Sequence, residues 1–398
     1  MKRMFLVVAV LLAVALGVLF GPEAVALARI AFGRTVDKVE ERVLPVPLKR
    51  KYAEVIAANT EQAAEIERYL DHLNPAEKRA PEGLGLNFAS EAKYRESCAG
   101  IRSLLASSLG YPPPGAASAV EAPALTRLSE DELATYYELS VTLFDGVRAG
   151  GVFMMPRAPS GKVPLVIAIH GRGPMPARPA GGKITVVGRS HRDLARGALR
   201  RGYAVWEPIL AFYAQGYPAD MRERLAVRAV ECGTTLPAIE IAKITRGLDA
   251  LLLTGKIDSA RIAMVGVSFG GFYTLYSAAL DERISVAVVA AYINDRQLVL
   301  ALNEPFGNLE WRFPNSLSLF QDATMAALIC PRPLQVQAGD HDQLFPIKGA
   351  RETVPGIRSI YGRLGVGQRF SFAEFVGRHD FREDLAYEFI GQFFDPTR

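Results

Sequence analysis

The residues Gly266-Val267-Ser268-Phe269-Gly270-Gly271 follow the apolar run Arg261-Ile262-Ala263-Met264-Val265 and lead into an apolar stretch that begins Phe272-Tyr273-Thr274-Leu275. This order predicts a strand, a sharp turn and a helix, with a serine at the apex of the turn. A serine at such an apex has a strained backbone. Glycines two positions to either side are needed because a Cβ there would collide with the neighbouring strand and helix. A bare Gly-x-Ser-x-Gly arises by chance in roughly one chain in ten of this length, so the strand-to-helix context carries the signal. The chemistry is nucleophilic acyl transfer: a serine hydroxyl needs a base within hydrogen-bond reach, and the base needs a carboxylate to fix its tautomer.

Five histidines are available as the base. His379 lies in Val376-Gly377-Arg378-His379-Asp380-Phe381, after the last predicted strand and before the final predicted helix, where strand ends converge. His72 falls in a helical extension, His170 ends an earlier strand, His191 opens a helix, and His341 sits in the loop assigned to the acid. For the acid, the strand Leu334 to Ala338 empties into Gly339-Asp340-His341-Asp342-Gln343-Leu344-Phe345-Pro346. Asp342 is favoured because a Gly-x-x-Asp-x-x-x-Pro loop leaves its aspartate pointing into the cleft. Asp340 is the nearest rival, with hydrogen bonding to its own turn as its structural role, and Asp295 is a more distant one. The chain order Ser268, Asp342, His379 is one of the known orders of such a triad. The oxyanion of the tetrahedral intermediate needs backbone donors: the N–H of Phe269, after the nucleophile, and that of Arg172 in His170-Gly171-Arg172-Gly173.

These residues require a particular set of elements. Strands are expected at Leu139 to Phe144, Val152 to Met155, Val163 to Ile169, Tyr203 to Ile209, Arg261 to Val267, Ile284 to Ala291, Leu334 to Ala338 and Phe370 to Phe375. Helices are expected at His191 to Arg201, Thr235 to Thr254, Gly270 to Leu280 and Glu383 to Phe394. The alternation predicts an α/β architecture, a mostly parallel, doubly wound sheet of eight strands, and the continuously apolar strands fit burial on both faces. Before it, Tyr52 to Leu73 and Glu91 to Leu109 read as helices, followed by the Pro-rich linker from Tyr111 to Pro123. The expected division is residues 1–28 as a targeting segment, 29–134 as helical extension and linker, and 135–398 as catalytic domain.

The sequence resembles the acetyl xylan esterase and dienelactone hydrolase-like branch of the α/β-hydrolase superfamily. The resemblance runs over residues 135–398 and is carried by His170-Gly171-Arg172-Gly173, Gly266-Val267-Ser268-Phe269-Gly270-Gly271, Ala278-Ala279-Leu280-Asp281-Glu282-Arg283-Ile284, Pro331-Arg332-Pro333-Leu334, Gly339 with Asp342, and Gly377 with His379. It implies a carboxylic-ester hydrolase acting through a seryl intermediate, without a cofactor, with acetyl esters of carbohydrates among the candidate substrates. Dienelactone hydrolases proper use a cysteine nucleophile, so Ser268 argues against that chemistry. A prolyl oligopeptidase-like reading needs a β-propeller, which about a hundred mainly helical residues do not build. A non-catalytic binding module would have no use for all three triad residues. Substrate selection falls to the segments Leu210 to Thr235, with Phe212, Tyr213, Tyr217, Arg222, Arg224 and Arg228, and Asn294 to Met325, with Phe306, Trp311, Arg312 and Phe313.

Composition bounds the remaining classes. The chain has 398 residues and a net charge of +4, from 46 basic and 42 acidic residues without blocks of like charge, which speaks against a nucleic-acid partner. No zinc-ligand spacing is present, so no metal is expected. Cys98, Cys232 and Cys330 are read as small buried hydrophobes, one disulfide being open to them outside the cytoplasm. Lys2 and Arg3 precede the uncharged run Met4 to Phe20, and Ala24-Val25-Ala26 resembles a cleavage site. This is the pattern of a signal peptide or a membrane anchor engaging the export machinery, with the catalytic domain extracytoplasmic.

Overall fold

The strand Val163–Ile169 is buried at all seven positions, as a strand must be when helices cover both faces of its sheet. In this computed structural model the described residues are 46–73, 84–116, 120–144, 146–157, 159, 161–171, 194–211, 221–303 and 309–395. Among them nine strands form one sheet: β1 (Ala124–Glu130), β2 (Ala134–Phe144), β3 (Val147–Pro156), β4 (Val163–Ile169), β5 (Ala204–Pro208), β6 (Ile257–Val267), β7 (Val286–Ala290), β8 (Leu334–Gly339) and β9 (Phe370–Phe375). Their spatial order is β1-β2-β3-β5-β4-β6-β7-β8-β9. The first three strands pair antiparallel, β3 joins β5 antiparallel, and every pairing from β5 onward is parallel.

The described helices are α1 (Val46–Leu73), α2 (Glu91–Leu109), α3 (Leu194–Leu199), α4 (Met221–Glu231), α5 (Leu236–Leu253), α6 (Phe269–Leu280), α7 (Arg296–Asn303), α8 (Asp322–Ile329), α9 (Ile347–Arg363) and α10 (Glu383–Phe394). Because side chains alternate across a strand, Leu165, Ile167 and Ile169 of β4 enter one core with α2, α5, α6, α8 and α9. Val166 and Ala168 enter the other, with α3 and α10. The doubly wound sheet expected from the sequence is therefore present. It has one strand more than expected, because β1 is a largely exposed edge strand whose sequence offers no clean alternation to read.

The compact unit that holds the sheet begins at Asn74, and a separate unit ends at Leu73. Helix α2 belongs with the sheet: Tyr94, Cys98, Leu105 and Leu109 are buried in its core. The Tyr94 hydroxyl donates to the Ala327 carbonyl at 2.9 Å, and Arg102 donates to the carbonyls of Ala279 and Leu328. Thr234 and Thr235 donate to the carbonyls of Gly110 and Leu109, each at 2.8 Å. Burial pushes the thiol pKa values of Cys98 and Cys330 up. Both match the buried reading, whereas Cys232 is exposed; all three are free thiols. The expected targeting segment, residues 1–28, lies outside the described residues. Among the described residues no helix is long and apolar enough to cross a membrane.

Pro331-Arg332-Pro333 sets Arg332 where helix ends and a strand entry meet. Its buried guanidinium donates to the carbonyls of Ala278, Asp281, Ile284, Leu328 and Ile329. These include carbonyls at the C-terminal ends of α6 and α8, which lack intrahelical donors and attract a cation. Burial pushes the Arg332 pKa down to about 10, so the group remains charged near neutrality. Arg332→Ala strands these carbonyls, and a loss of about 3 kcal/mol is expected in urea denaturation. A change within about 0.5 kcal/mol would show the contacts to be dispensable.

Candidate active site

Ser268 stands between β6 and α6 with φ 58° and ψ −120°, a backbone that side chains rarely adopt and that costs on the order of 1–3 kcal/mol. The surrounding backbone holds it there. Its N–H donates to the Ala290 carbonyl at 2.9 Å, and its own carbonyl accepts from the Phe272 N–H at 3.1 Å. A Cβ on Gly266 would run into the Gly270 carbonyl, and one on Gly270 would run into the carbonyl of Ile169 at the end of β4. The two glycines of the motif are thus required by close backbone approach, as their spacing predicts. Helix α6 begins at Phe269, which puts the positive end of a twelve-residue helix beside the serine, where an oxyanion is stabilised.

The structure joins two of the predicted residues directly. His379 Nδ1 lies 2.7 Å from Asp342 Oδ2, and both side chains are largely buried. The other oxygen, Asp342 Oδ1, accepts from the N–H groups of Leu344 at 2.9 Å and Phe345 at 3.0 Å, so the carboxylate is locked onto its own turn while facing the imidazole. His379 Nε2 is buried without a hydrogen-bond partner among the described residues. It is the nitrogen left to take a proton once Nδ1–H is committed to the carboxylate.

Asp340 is placed differently from its expected role. It reaches across to the base loop, accepting from Gly377 N–H at 2.9 Å, and its Oδ1 lies 2.5 Å from Nδ1 of the exposed His341. These contacts, with the Gly377 N–H foremost, hold its carboxyl below the usual carboxylate range. Asp340 and Asp342 therefore divide the work, the first fastening the two loops and the second meeting the base. Asp295 accepts from Gln297 and Leu298 N–H groups at the start of α7. His170 keeps to the end of β4, where burial lowers its pKa and Nδ1 sits 2.8 Å from the Gly171 carbonyl.

Aromatic rings run from the Ser268 turn to His379. Phe269 meets Trp311 at 5.5 Å between centroids, Trp311 meets Phe345 at 6.4 Å, and Phe345 stacks on the His379 ring at 5.6 Å. Tyr292 packs on Phe345 at 5.5 Å and is covered by the Arg296 guanidinium, which pairs with buried Asp322. From α4, buried Arg222 lies over the Phe269 ring at 4.8 Å and donates to Glu310 at 2.6 Å, to Tyr273 at 3.2 Å and to the Ala211 carbonyl. Glu240 lies 3.7 Å from Arg222 and accepts from Lys243 at 3.0 Å. Burial drives the Tyr273 pKa upward, so its hydroxyl stays protonated.

Of the expected substrate-selecting residues, Arg222 and Trp311 border the nucleophile turn. Phe313 packs into the core against Tyr276 and Phe320, and Arg224 and Arg228 are exposed on α4. Phe212, Tyr213, Tyr217 and Phe306 lie outside the described residues, as does Arg172, the expected second oxyanion donor. Sequence reasoning missed Glu310, 88 residues from its partner Arg222, because no local spacing announces so distant an ion pair. It also missed Gln337, buried on β8, whose amide exchanges hydrogen bonds with the Arg382 backbone, at 3.0 Å and 2.9 Å, and so holds the segment following His379. Among the described residues no cluster of side chains suits a metal ion.

No family model matches the chain. It is 26% identical over 133 residues to YtaP of Bacillus subtilis (strain 168), described as a hydrolase, a match covering 33% of this chain and 44% of that protein. The chain thus spans less than half of this curated relative. Among solved structures it is similar to the methylesterase BT1017, with TM-score 0.59, 19% identity and coverage of 77% of this chain and 65% of that one. It is also similar to a Bacteroides fragilis protein described as an acetyl xylan esterase, with TM-score 0.60, 14% identity and coverage of 79% and 81%. A third is a glucuronoyl esterase of carbohydrate esterase family 15 from Caldicellulosiruptor kristjansonii, with TM-score 0.53, 20% identity and coverage of 78% and 87%. The fold is that of the α/β-hydrolases.

The hydrogen bonds separate the two aspartates experimentally. Asp342→Asn is expected to lower kcat for ester hydrolysis by roughly 10⁴-fold through loss of the correct tautomer and of the charge. Asp340→Asn is expected to cost less than about tenfold, because it touches the loops and not the base. The reverse ranking in steady-state kinetics would reassign the acid.

Proposed function

We propose that this protein is a serine esterase that cleaves carboxylic esters through an acyl-enzyme on Ser268, with esters of carbohydrates as its substrate class. The observation that carries the proposal is the buried Asp342–His379 pair, linked through a chain of aromatic ring contacts, stacked, edge-on and tilted in turn, to the residue that follows a serine with positive φ. Phe345 on the imidazole and Trp311 on Phe269 keep water from the reacting groups and strengthen the charges that develop there.

In the reaction, Ser268 Oγ attacks the ester carbonyl carbon while His379 Nε2 takes the hydroxyl proton. Asp342 stabilises the resulting imidazolium, and the oxyanion accepts hydrogen bonds from the N–H groups of Phe269 and Arg172. Collapse of the intermediate breaks the bond to the alcohol, which leaves with the proton from His379. Water then enters, His379 takes one of its protons, and the second collapse releases the carboxylic acid and restores Ser268.

The carbohydrate part of the proposal is supported by two fold neighbours, one described as an acetyl xylan esterase and one as a glucuronoyl esterase of a carbohydrate esterase family. Trp311, half-buried beside Phe269, offers a ring of the kind that stacks on a sugar. The Lys2, Arg3 and Met4 to Phe20 pattern supports export across, or anchoring to, the cytoplasmic membrane, with the catalytic domain extracytoplasmic.

Hydrolysis of p-nitrophenyl acetate, butyrate and octanoate, and of acetylated xylo-oligosaccharides, tests the reading. Wild type is expected to prefer acetate and to release acetate from the oligosaccharides, and Ser268→Ala to lose roughly 10⁴-fold or more in kcat/KM. Turnover retained by Ser268→Ala would overturn the mechanism. Preference for octanoate with inert oligosaccharides would overturn the substrate class.

A further inference from the structure

The bond between His379 Nδ1 and Asp342 fixes one edge of the imidazole and leaves its plane open. A hydrogen bond sets the direction of its N–H, and the outer torsion of a histidine side chain is broad, so the ring is free to tilt about that line and turn Nε2 off its target. Phe345 closes this freedom. Its ring lies at 17° to the imidazole plane, with centroids 5.6 Å apart, while its backbone N–H donates to Asp342 Oδ1 at 3.0 Å. One residue thus touches both members of the pair. Phe345 is itself held from several directions. Tyr292 packs on its ring at 5.5 Å, Trp311 meets it edge-on at 6.4 Å, and only 5% of the residue is exposed. Pro346, next in the chain, restricts the Phe345 backbone to extended conformations, and the Pro346 carbonyl accepts from Asn294 Nδ2 at 2.9 Å. Asn294 N–H donates to Asp322 at 2.8 Å. That carboxylate pairs with Arg296 at 2.8 and 2.7 Å, and the Arg296 guanidinium lies 4.0 Å over the Tyr292 ring.

We propose that Phe345 is a positioning residue for His379: its phenyl face fixes the plane of the imidazole, so that Nε2 stays directed at the hydroxyl of Ser268. The proposal deepens the esterase reading and rests on it for the reaction served. A displacement of about 1 Å costs about 10²-fold in rate, and reacting groups have to be held to within about 0.5 Å and 10–20° by neighbours that are themselves locked. The flat contact between Phe345 and His379 restrains the ring in the direction that the Asp342 bond does not. Core filling alone requires neither the near-parallel rings nor the N–H bond from the same residue to the acid, since an aliphatic side chain would also occupy the space and exclude water. The buried Arg296–Asp322 pair, through Tyr292 and Asn294, makes the phenyl a fixed wall.

Phe345→Leu and Phe345→Met keep the site apolar and remove the flat face; the second serves where the first does not fold. In steady-state hydrolysis of p-nitrophenyl acetate by the full chain, either variant is expected to lower kcat by roughly 10- to 100-fold with KM within about twofold. Phe153→Leu, which removes a buried ring from β3, is the control for general loss of core packing, and its kcat is expected to stay within about twofold of wild type. Crystal structures of wild type and variant read the ring directly and do not depend on activity: His379 is expected in one orientation in the wild type and in more than one, or rotated, in the variant. An unchanged kcat, a rise in KM alone, an equal loss in Phe153→Leu, or an imidazole unmoved in the variant would overturn the proposal while leaving the esterase reading intact. A wild type that hydrolyses no ester would overturn that reading, and the two crystal structures would then decide the role of Phe345 by themselves.

Discussion

The carbonyl of Ile169, at the end of β4, presses against Gly270, and Gly270 in turn presses its own carbonyl against Gly266. Between those contacts Ser268 takes its positive φ. The arrangement needs two parallel strands to end side by side and a helix to start at once, so it depends on the pairing of β4 with β6. The strain is borne by a region with large reserves of burial, since every residue of α6 from Phe269 to Ala279 is buried. An exposed serine on a loop would have no such support. The strained turn is therefore a consequence of the sheet, and the remaining groups are arranged around it.

Two loops bring the other groups to the same end of the sheet. They leave β8 and β9, adjacent parallel strands, and are tied together by Asp340 to Gly377 N–H and by His341 N–H to the Gly377 carbonyl at 2.8 Å. Gln337 holds the chain beyond the base. On the side of Ser268, Arg222 over the Phe269 ring pairs with buried Glu310 and lies near buried Glu240, which half-buried Lys243 also meets. Buried ion pairs of this kind add little net stability, but removing one member is costly because the other is left uncompensated. Their effect here is geometric: they fix α4 and the turn Leu309–Trp311 over the aromatic rings beside the serine.

Much of this was legible in the sequence because it follows from local constraints. The glycines around Ser268, the apolar runs of β4, β6 and β7, and the emergence of Asp342 and His379 after successive strands each leave a mark within a few residues. Asp342 was distinguished from Asp340 by its place in the loop, the one signal the sequence offers for it; Asp342 Oδ2 lies 2.7 Å from His379 Nδ1. What was not legible depends on partners distant in the chain. Helix α2 is held by residues beyond position 230, among them Thr235, Ala279, Ala327 and Leu328, so its membership of the core has no local sign. Helix α9 contains Pro355, Gly349 and Gly356, which obscure a helix that is nevertheless secured by buried Val354, Ile357, Ile360 and Tyr361. Strand β1 is exposed along most of its length and gains its place by pairing with β2.

The central claim is that Ser268 is the nucleophile and that His379 activates it. It is tested most directly by treating the full-length protein with a fluorophosphonate, then mapping the adduct by peptide mass spectrometry in wild type and His379→Ala. The account expects a single phosphonyl adduct on Ser268 of the wild type and a labelling rate lower by at least roughly 10³-fold in the variant. An adduct on another residue, or equal labelling rates in the two proteins, would contradict it.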